Sequence, residues 1–437
     1  MIFKRFLAKN ISNYLESDSE FSNTLLLSGA RQVGKSFLIK EILKSYPHVF
    51  VNLFENQELA ENIDRTKNFK NLEKLFLAEL NFKPSQGKVL VFDEAQESKN
   101  LGRWIRFFKE NWPHQKVVLL GSILSNLFEN QSNYPVGRVI EYSLRPMTFA
   151  EFLNARELEG QCEIISTLDF ENLEGASYLD ALQDSYLEYL QCGGMPESIA
   201  NAKSNQELFD YWTQRTRQYA IDVERHLDDN YKSLFLALIK RVAELTCQPV
   251  KYSSLHSTQT KAYRQIPKLL EILDKWFVIL KCPLTMKNPE TTKKMGSKRY
   301  LFDVGLTSSL LNQSYSLPWK NRSDFENVFY GKLQENFIHQ ELTAFFQTPD
   351  TPIEFYKEKT RSKEIDFLVK GKLPIEVKSR HSINRNELKP MLDFLNNFNL
   401  KTGIYVFNGN PQCLMIDGKK IYAINAFMVT SLLNQLL

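Results

Sequence analysis

The stretch Gly29-Ala30-Arg31-Gln32-Val33-Gly34-Lys35-Ser36 follows the spacing glycine, four residues, then Gly-Lys-Ser. Glycines at both ends let backbone N–H groups turn inward around phosphate oxygens. Lys35 can reach the β- and γ-phosphates, and the Ser36 hydroxyl can hold Mg²⁺. With Phe37, which lies in the helix that follows, Gly29 through Phe37 form the candidate nucleotide-binding set. A magnesium triphosphate also needs an acid at the end of a neighbouring strand. The apolar run Val89–Phe92 ends in two, Asp93 and Glu94. Asp93 would hold the metal or its water, and Glu94 would polarise the water that attacks the γ-phosphate. Lys116–Gly121 is a further strand that ends in Ser122, where a polar sensor of the γ-phosphate would sit; Ser122 equally suits the N-cap of the next helix. Arg138 is a candidate arginine finger or sensor, or else a surface residue beside a turn. No Asn-Lys-x-Asp motif for reading guanine is present, which favours ATP.

A second set lies near the C-terminus. Glu335 falls within a helical stretch, on the side of Val328, Ile338 and Leu342. A carboxylate on an apolar face is costly without a partner such as a cation. Asp366 lies in one strand and Glu376-Val377-Lys378 in the next. Glu376 and Lys378 share a face because strand residues two apart do, and Asp366 approaches them across a hairpin turned at Gly371. Glu335, Asp366 and Glu376 are the oxygen set that Mg²⁺ requires, and Lys378 could orient water or stabilise a pentavalent phosphate. An ordinary polar hairpin edge with an exposed Glu–Lys pair has the same sequence.

These residues have to be positioned by several domains, because 437 residues exceed one typical core. The first 155 residues alternate short apolar strands with amphipathic helices, among them Asn23–Ser28, Gly34–Ser45 and the helix Leu101–Asn111. Strands joined by crossover helices imply a parallel sheet covered on both faces. The expected architecture is therefore α/β, a P-loop sheet over 1–157 followed by a helical lid or linker over 158–230. A basic, winged-helix-like domain over 231–310 and a second α/β domain over 311–437 complete it. In the last domain the sequence predicts a helix over 324–346 and strands over 353–357, 364–369, 373–379 and 402–407.

Charge is unevenly spread. The whole chain has 55 Lys and Arg against 51 Asp and Glu, net +4. Residues 231–300 alone hold 14 basic and 4 acidic residues, net +10, so the rest sums to −6. Three helices and a two-stranded hairpin in that segment follow the order of a winged helix. Lys261, Arg264 and Lys268 would lie on the recognition helix, and Lys287, Lys293, Lys294 and Lys298 on the wing. Basic residues at this density suit phosphate contacts, so nucleic acid, DNA first, is the expected partner through residues 231–300. A solvated basic face, or one pairing with the acidic remainder, is the alternative. No apolar run approaches the ~18 residues of a membrane helix. Five scattered cysteines without a Cys-x-x-Cys pair fit a reducing cytoplasm.

GARQVGKS, VLVFDEAQ, LLGSILSNL, the Gly-Arg before EYSLRPMTFAEFL, CGGMPE, KRYLFDVGL and GKLQENFIHQEL occur in the order seen in a group of prokaryotic proteins. The chain resembles these AAA-plus-like P-loop ATPases, in which a domain of unknown function numbered 4143 follows the ATPase. Ala30 stands where the group commonly has proline, and Ser36 where it has threonine; neither removes a chemical group. The C-terminal set resembles the PD-(D/E)xK nuclease core. That resemblance implies Glu335, Asp366 and Glu376 as metal ligands, with Lys378 as catalytic base or charge stabiliser. The expected activity is slow ATP hydrolysis with Mg²⁺, coupled to nucleic-acid binding and to metal-dependent cleavage. The competing expectation is a nucleotide-dependent interaction protein, homo-oligomeric or docked to a protein partner, whose nuclease-like domain cuts nothing.

Overall fold

The computed structural model describes residues 3–128, 135–173, 179–201, 204–255, 264–285, 296–311, 322–358 and 364–437. Lys261, Lys287, Lys293 and Lys294, assigned above to the recognition helix and wing, lie outside these residues. The chain forms two compact units. One is Lys4–Arg145 with Gln347–Asp350; the other comprises Pro146–Phe346 and Thr351–Leu437.

In the first unit, β1 (Thr24–Ser28), β2 (His48–Asn52), β3 (Val89–Asp93), β4 (Val117–Leu120) and β5 (Val139–Ser143) make a wholly parallel sheet in the order β2-β3-β4-β1-β5. Strands β1, β3 and β4 are buried along their whole length, as uninterrupted apolar runs in a doubly covered sheet should be. One face is closed by the helix Leu101–Asn111, which turns Leu101, Trp104, Ile105 and Phe108 inward against Phe76, Phe92 and Trp112. The edge strand β5 was not anticipated. Glu141 and Tyr142 interrupt its apolar character, and four of its five residues are half-buried.

The second unit opens with helices Phe149–Ala155, Leu179–Cys192, Asn205–His226 and Asp229–Glu244. The helix Phe149–Ala155, grouped by sequence with the ATPase sheet, belongs here. A single 3₁₀ turn, Tyr252–Leu255, stands where the second short helix was expected, and the helix Ile266–Lys275 follows. Then β6 (Ile279–Cys282) pairs antiparallel with β8 (Lys298–Leu301), with Cys282 opposite Lys298.

A seven-stranded mixed sheet lies downstream. Its members are β7 (Leu284–Thr285), β9 (Ile353–Lys357), β10 (Glu364–Val369), β11 (Leu373–Val377), β12 (Thr402–Val406), β13 (Gln412–Ile416) and β14 (Lys419–Ile424), ordered β13-β14-β12-β11-β10-β9-β7. The helix Asp324–Phe346 spans the predicted residues. It is buried nearly all round through its C-terminal half, Gln334 to Thr343, rather than amphipathic. Its polar residues are matched individually: Gln334 bonds Asn408, Asn336 bonds Thr307 and the Leu301 carbonyl, and Gln340 bonds Tyr189 and the Val304 N–H. Val328 does not share the buried side expected of it with Glu335; it is 64 % exposed.

Candidate nucleotide site and carboxylate cluster

Parallel strands all end on the same rim of a sheet, and here that rim carries every expected nucleotide residue but one. Register pairs Leu27 with Leu120, and Leu119 with Phe92. Asp93 is therefore level with Leu120, and Glu94, Gly121 and Ser28 are level one residue beyond. Because β4 lies between β1 and β3, the P-loop and the acids are two strand spacings apart, roughly 10 Å. That gap accommodates a metal-bound triphosphate, and Ser122 stands at its middle.

The backbone of the loop has a shape that suits an anion. Gly29, Gln32 and Gly34 all take positive φ (144°, 65° and 99°), so successive N–H groups curl toward one point. Gly29 is obligatory: a Cβ there would lie 2.2 Å from the Leu144 carbonyl oxygen. Gly34 also begins the helix Lys35–Leu43, whose first turn has no capping side chain, leaving its N–H groups available for an anion. Ala30 and Val33 are buried and brace the loop from below, while Gln32 and Phe37 are exposed, and Arg31 and Ser36 are half-buried. The Lys35 ammonium donates to the carbonyls of Gly29 (2.8 Å) and Ala30 (3.0 Å). Burial pulls its pKa down to about 8, against the opposing influence of Glu94 and Asp93.

Across the gap, Asp93 is buried and its Oδ1 accepts the Glu94 N–H at 3.0 Å. Glu94 sits at a positive φ of 50°, which turns its side chain off the strand axis. Gln96 Nε2 donates to Glu94 Oε2 at 2.5 Å and fixes its direction. Gln96 was missed as a site residue, although it belongs to the quoted VLVFDEAQ stretch. Gly121 lies close under these side chains: a Cβ there would fall 2.1 Å from Gln96 Oε1 and 2.8 Å from Leu124 Cδ2. The Ser122 hydroxyl is buried and makes no hydrogen bond among the described residues, so it caps no helix. An unpartnered hydroxyl between a phosphate loop and two acids fits a group that donates to a bound phosphate.

Of the two readings of Arg138, the surface residue beside a turn is the one its position in its own chain supports. It precedes β5, and its carbonyl accepts the N–H of Thr24, the first residue of β1. It is therefore at the opposite end of the sheet from the P-loop, about five residues or 16 Å away. Its guanidinium pairs with Glu110 at 3.2 Å. It cannot reach a nucleotide held by its own chain.

The C-terminal carboxylates do converge, but on a different cation from the one expected. Lys298, assigned to an exposed wing, is fully buried. Its Nζ contacts Glu335 Oε1 (3.0 Å), Glu364 Oε1 (2.9 Å) and Asp366 Oδ1 (3.0 Å). The Tyr300 hydroxyl donates to the same Glu335 oxygen at 2.5 Å, and Asp366 Oδ2 accepts the Val377 N–H at 2.9 Å. Lys378 pairs with Glu376 at 2.5 Å and is 3.9 Å from Asp366. Despite its burial, Lys298 and Lys378 hold the Asp366 carboxyl below its usual value. Burial, reinforced by Asp366, pushes Glu376 up to about 8. Among the described residues, no three His, Cys, Asp or Glu side chains are grouped so as to hold a metal ion. Glu364, Lys298 and Tyr300 were all missed as members of this cluster.

Comparison with known proteins finds three matching profiles along the chain. An AAA domain profile matches residues 22–153, and profiles of two domains of unknown function match 183–317 (DUF8612) and 330–427 (DUF4143). The chain thus contains an AAA-type P-loop ATPase domain and a DUF4143 domain. An uncharacterized protein of Haemophilus influenzae is 22 % identical over 419 residues, covering 90 % of this chain and 93 % of that protein. Among solved structures, a Walker-type ATPase of Pyrococcus abyssi is 16 % identical with a TM-score of 0.38, covering 71 % of this chain and 96 % of that one. The ORC1 protein of Aeropyrum pernix, solved in complex with DNA, is 14 % identical with a TM-score of 0.30, covering 70 % of this chain and 90 % of that one. Among the described residues no helix is long and apolar enough to cross a membrane.

Proposed function

We propose that the chain binds ATP at the end of β1 and hydrolyses it slowly, using the nucleotide state to control contact with nucleic acid. The observation that carries this is the buried, unpartnered Ser122 hydroxyl between the P-loop and the Asp93–Glu94 pair. Lys35 would leave its two carbonyl partners for the β- and γ-phosphates, which return the charge its burial disfavours. Ser36 and Asp93 would hold Mg²⁺, which when bound neutralises charge on the phosphates. Glu94, steadied by Gln96, would take the role of polarising water, and Ser122 would donate to the γ-phosphate.

The nucleic-acid part of the proposal rests on the basic segment. Arg264 just before the helix Ile266–Lys275, Lys268 on that helix and Lys281 on β6 are exposed, although Lys298 no longer contributes. Titration calorimetry with ATP and phosphate release with and without DNA test the whole proposal. Lys35→Ala should lose nucleotide binding; Glu94→Gln should bind ATP yet turn over at least about a hundredfold more slowly. Unchanged affinity in the first variant would overturn the site.

A second reading is favoured for the C-terminal part. The ammonium of Lys298 among Glu335, Glu364 and Asp366 supports a nuclease-like scaffold that docks a partner, over one that cleaves DNA with Mg²⁺.

A further inference from the structure

The carboxylate cluster is implied by resemblance to take a divalent metal, and its geometry does not fit one. We propose that Lys298 is a built-in replacement for that metal, and that the cluster binds no divalent cation while Lys298 is present. The inference is independent of the nucleotide site.

An ammonium group has three N–H donors and no acceptor. Lys298 finds three carboxylate oxygens, at 2.9, 3.0 and 3.0 Å, so its donors are saturated. Those are ammonium–carboxylate distances; Mg²⁺ would need oxygens at about 2.1 Å around the point the nitrogen fills. The same carboxylates have further partners. Glu335 Oε1 takes the Tyr300 hydroxyl, Asp366 Oδ2 the Val377 N–H, and Glu364 Oε2 the Lys357 ammonium at 2.9 Å.

Charge points the same way. Glu335, Glu364, Asp366 and Glu376 face Lys298, Lys357 and Lys378, four carboxyls against three ammoniums, and burial pushes the Glu376 carboxyl up to about 8, so that it is largely uncharged at neutral pH. Buried ions persist where they are matched in this way. A dication would add two charges to a balanced group and sit against a fully buried ammonium, so it is excluded electrostatically as well as sterically.

The source of the lysine is informative. It comes from β8, the strand that pairs with β6, in the stretch matching DUF8612, whereas all the carboxylates lie in the DUF4143 match. The preceding segment therefore supplies the cation that holds Asp324–Phe346 and β10 together.

The experiment is Mn²⁺ titration of the full chain without nucleotide, read by electron paramagnetic resonance and thermal melting. Asp366→Asn isolates binding at this cluster from any at the P-loop. The wild-type protein should take up no Mn²⁺ that Asp366→Asn removes. Lys298→Ala should melt lower, and Mn²⁺ should raise its melting temperature by several degrees; adding Asp366→Asn should abolish that rescue. Asp366-dependent Mn²⁺ binding by the wild-type chain would overturn the proposal. So would a folded Lys298→Ala protein that Mn²⁺ neither binds nor stabilises. If Lys298→Ala does not fold, the comparison of wild type with Asp366→Asn decides alone.

Discussion

The backbone N–H of Gly194 donates to Asp303 Oδ2 at 2.9 Å, joining two short motifs more than a hundred residues apart. Asp303 Oδ1 accepts the Gly305 N–H at 2.8 Å, so one carboxylate caps the helix Val304–Leu310 and pins the Gly193–Gly194 turn. The glycines follow from this contact. A Cβ on Gly193 would fall 1.9 Å from Asp303 Oδ1, and one on Gly305 would fall 2.6 Å from the Cys192 carbonyl. CGGMPE and FDVGL are thus two halves of one junction.

Gly193→Ala should therefore destabilise the protein by about 2–4 kcal/mol, combining the left-handed backbone penalty with displacement of Asp303. Gly193 has φ 74°. The control is Gly418→Ala, at φ 73° with open space around its Cβ position, which should cost only about 1 kcal/mol. Urea denaturation of both variants measures the difference. Equal losses would show that backbone strain alone, and not the Asp303 contact, fixes the glycine.

What was legible in the sequence depended on how each residue is partnered. Strands β1, β3 and β4 announced themselves because both faces are buried, which forces unbroken apolar runs. β5 and β13 did not, since half-buried edges tolerate Glu141 and Gln412. The P-loop and Asp93–Glu94 were readable because local spacing alone determines their geometry. Lys298 was not, because its place is decided by carboxylates 37 and 68 residues downstream. A lysine in a lysine-rich stretch gives no local sign that it is buried. The place of Arg138 was not legible for a related reason: without β5, nothing in the sequence said at which end of the sheet it stood.

Ser122→Ala separates a phosphate sensor from a structural hydroxyl. Its Oγ is buried without a partner among the described residues, so removing it should leave the nucleotide-free protein as stable or up to about 1 kcal/mol more stable. Hydrolysis should slow roughly tenfold to a hundredfold as one donor to the γ-phosphate is lost. Melting curves and phosphate release on the same preparation give both quantities. Lower stability with unchanged turnover would return Ser122 to a purely structural role.

Arg138→Ala should leave ATP turnover unchanged to within about twofold. The residue is at the far end of β1 and β5 from the P-loop and pairs with Glu110. Phosphate release should be followed over a range of protein concentrations. A large, concentration-dependent loss would mean that a neighbouring copy inserts Arg138 into the site, and that the active form is an oligomer.

Glu341 gives the protein a pH dependence whose sign can be worked out. Its carboxyl is buried; Oε1 accepts the Phe149 N–H at 2.8 Å and the Thr430 hydroxyl lies 3.4 Å from Oε2. Burial, with repulsion from Glu151 adding to it, raises its pKa from 4.5 to about 8. Between those values the folded chain keeps a proton that the unfolded chain releases, so stability falls as pH rises. The contribution is full below pH 4.5, shrinks across the window, and is gone above about 8; it is on the order of 5 kcal/mol. Glu341→Gln keeps the acceptor for Phe149 and carries no charge at any pH. It should match the wild type near pH 5 and exceed it at pH 9, with a residual slope from Asp303 and Glu376, which burial raises to about 7 and about 8. Denaturation at pH 5, 7 and 9 tests this. Parallel curves for the two proteins would mean that Glu341 is ionised in the fold throughout, its charge met by the Phe149 and Thr430 donors.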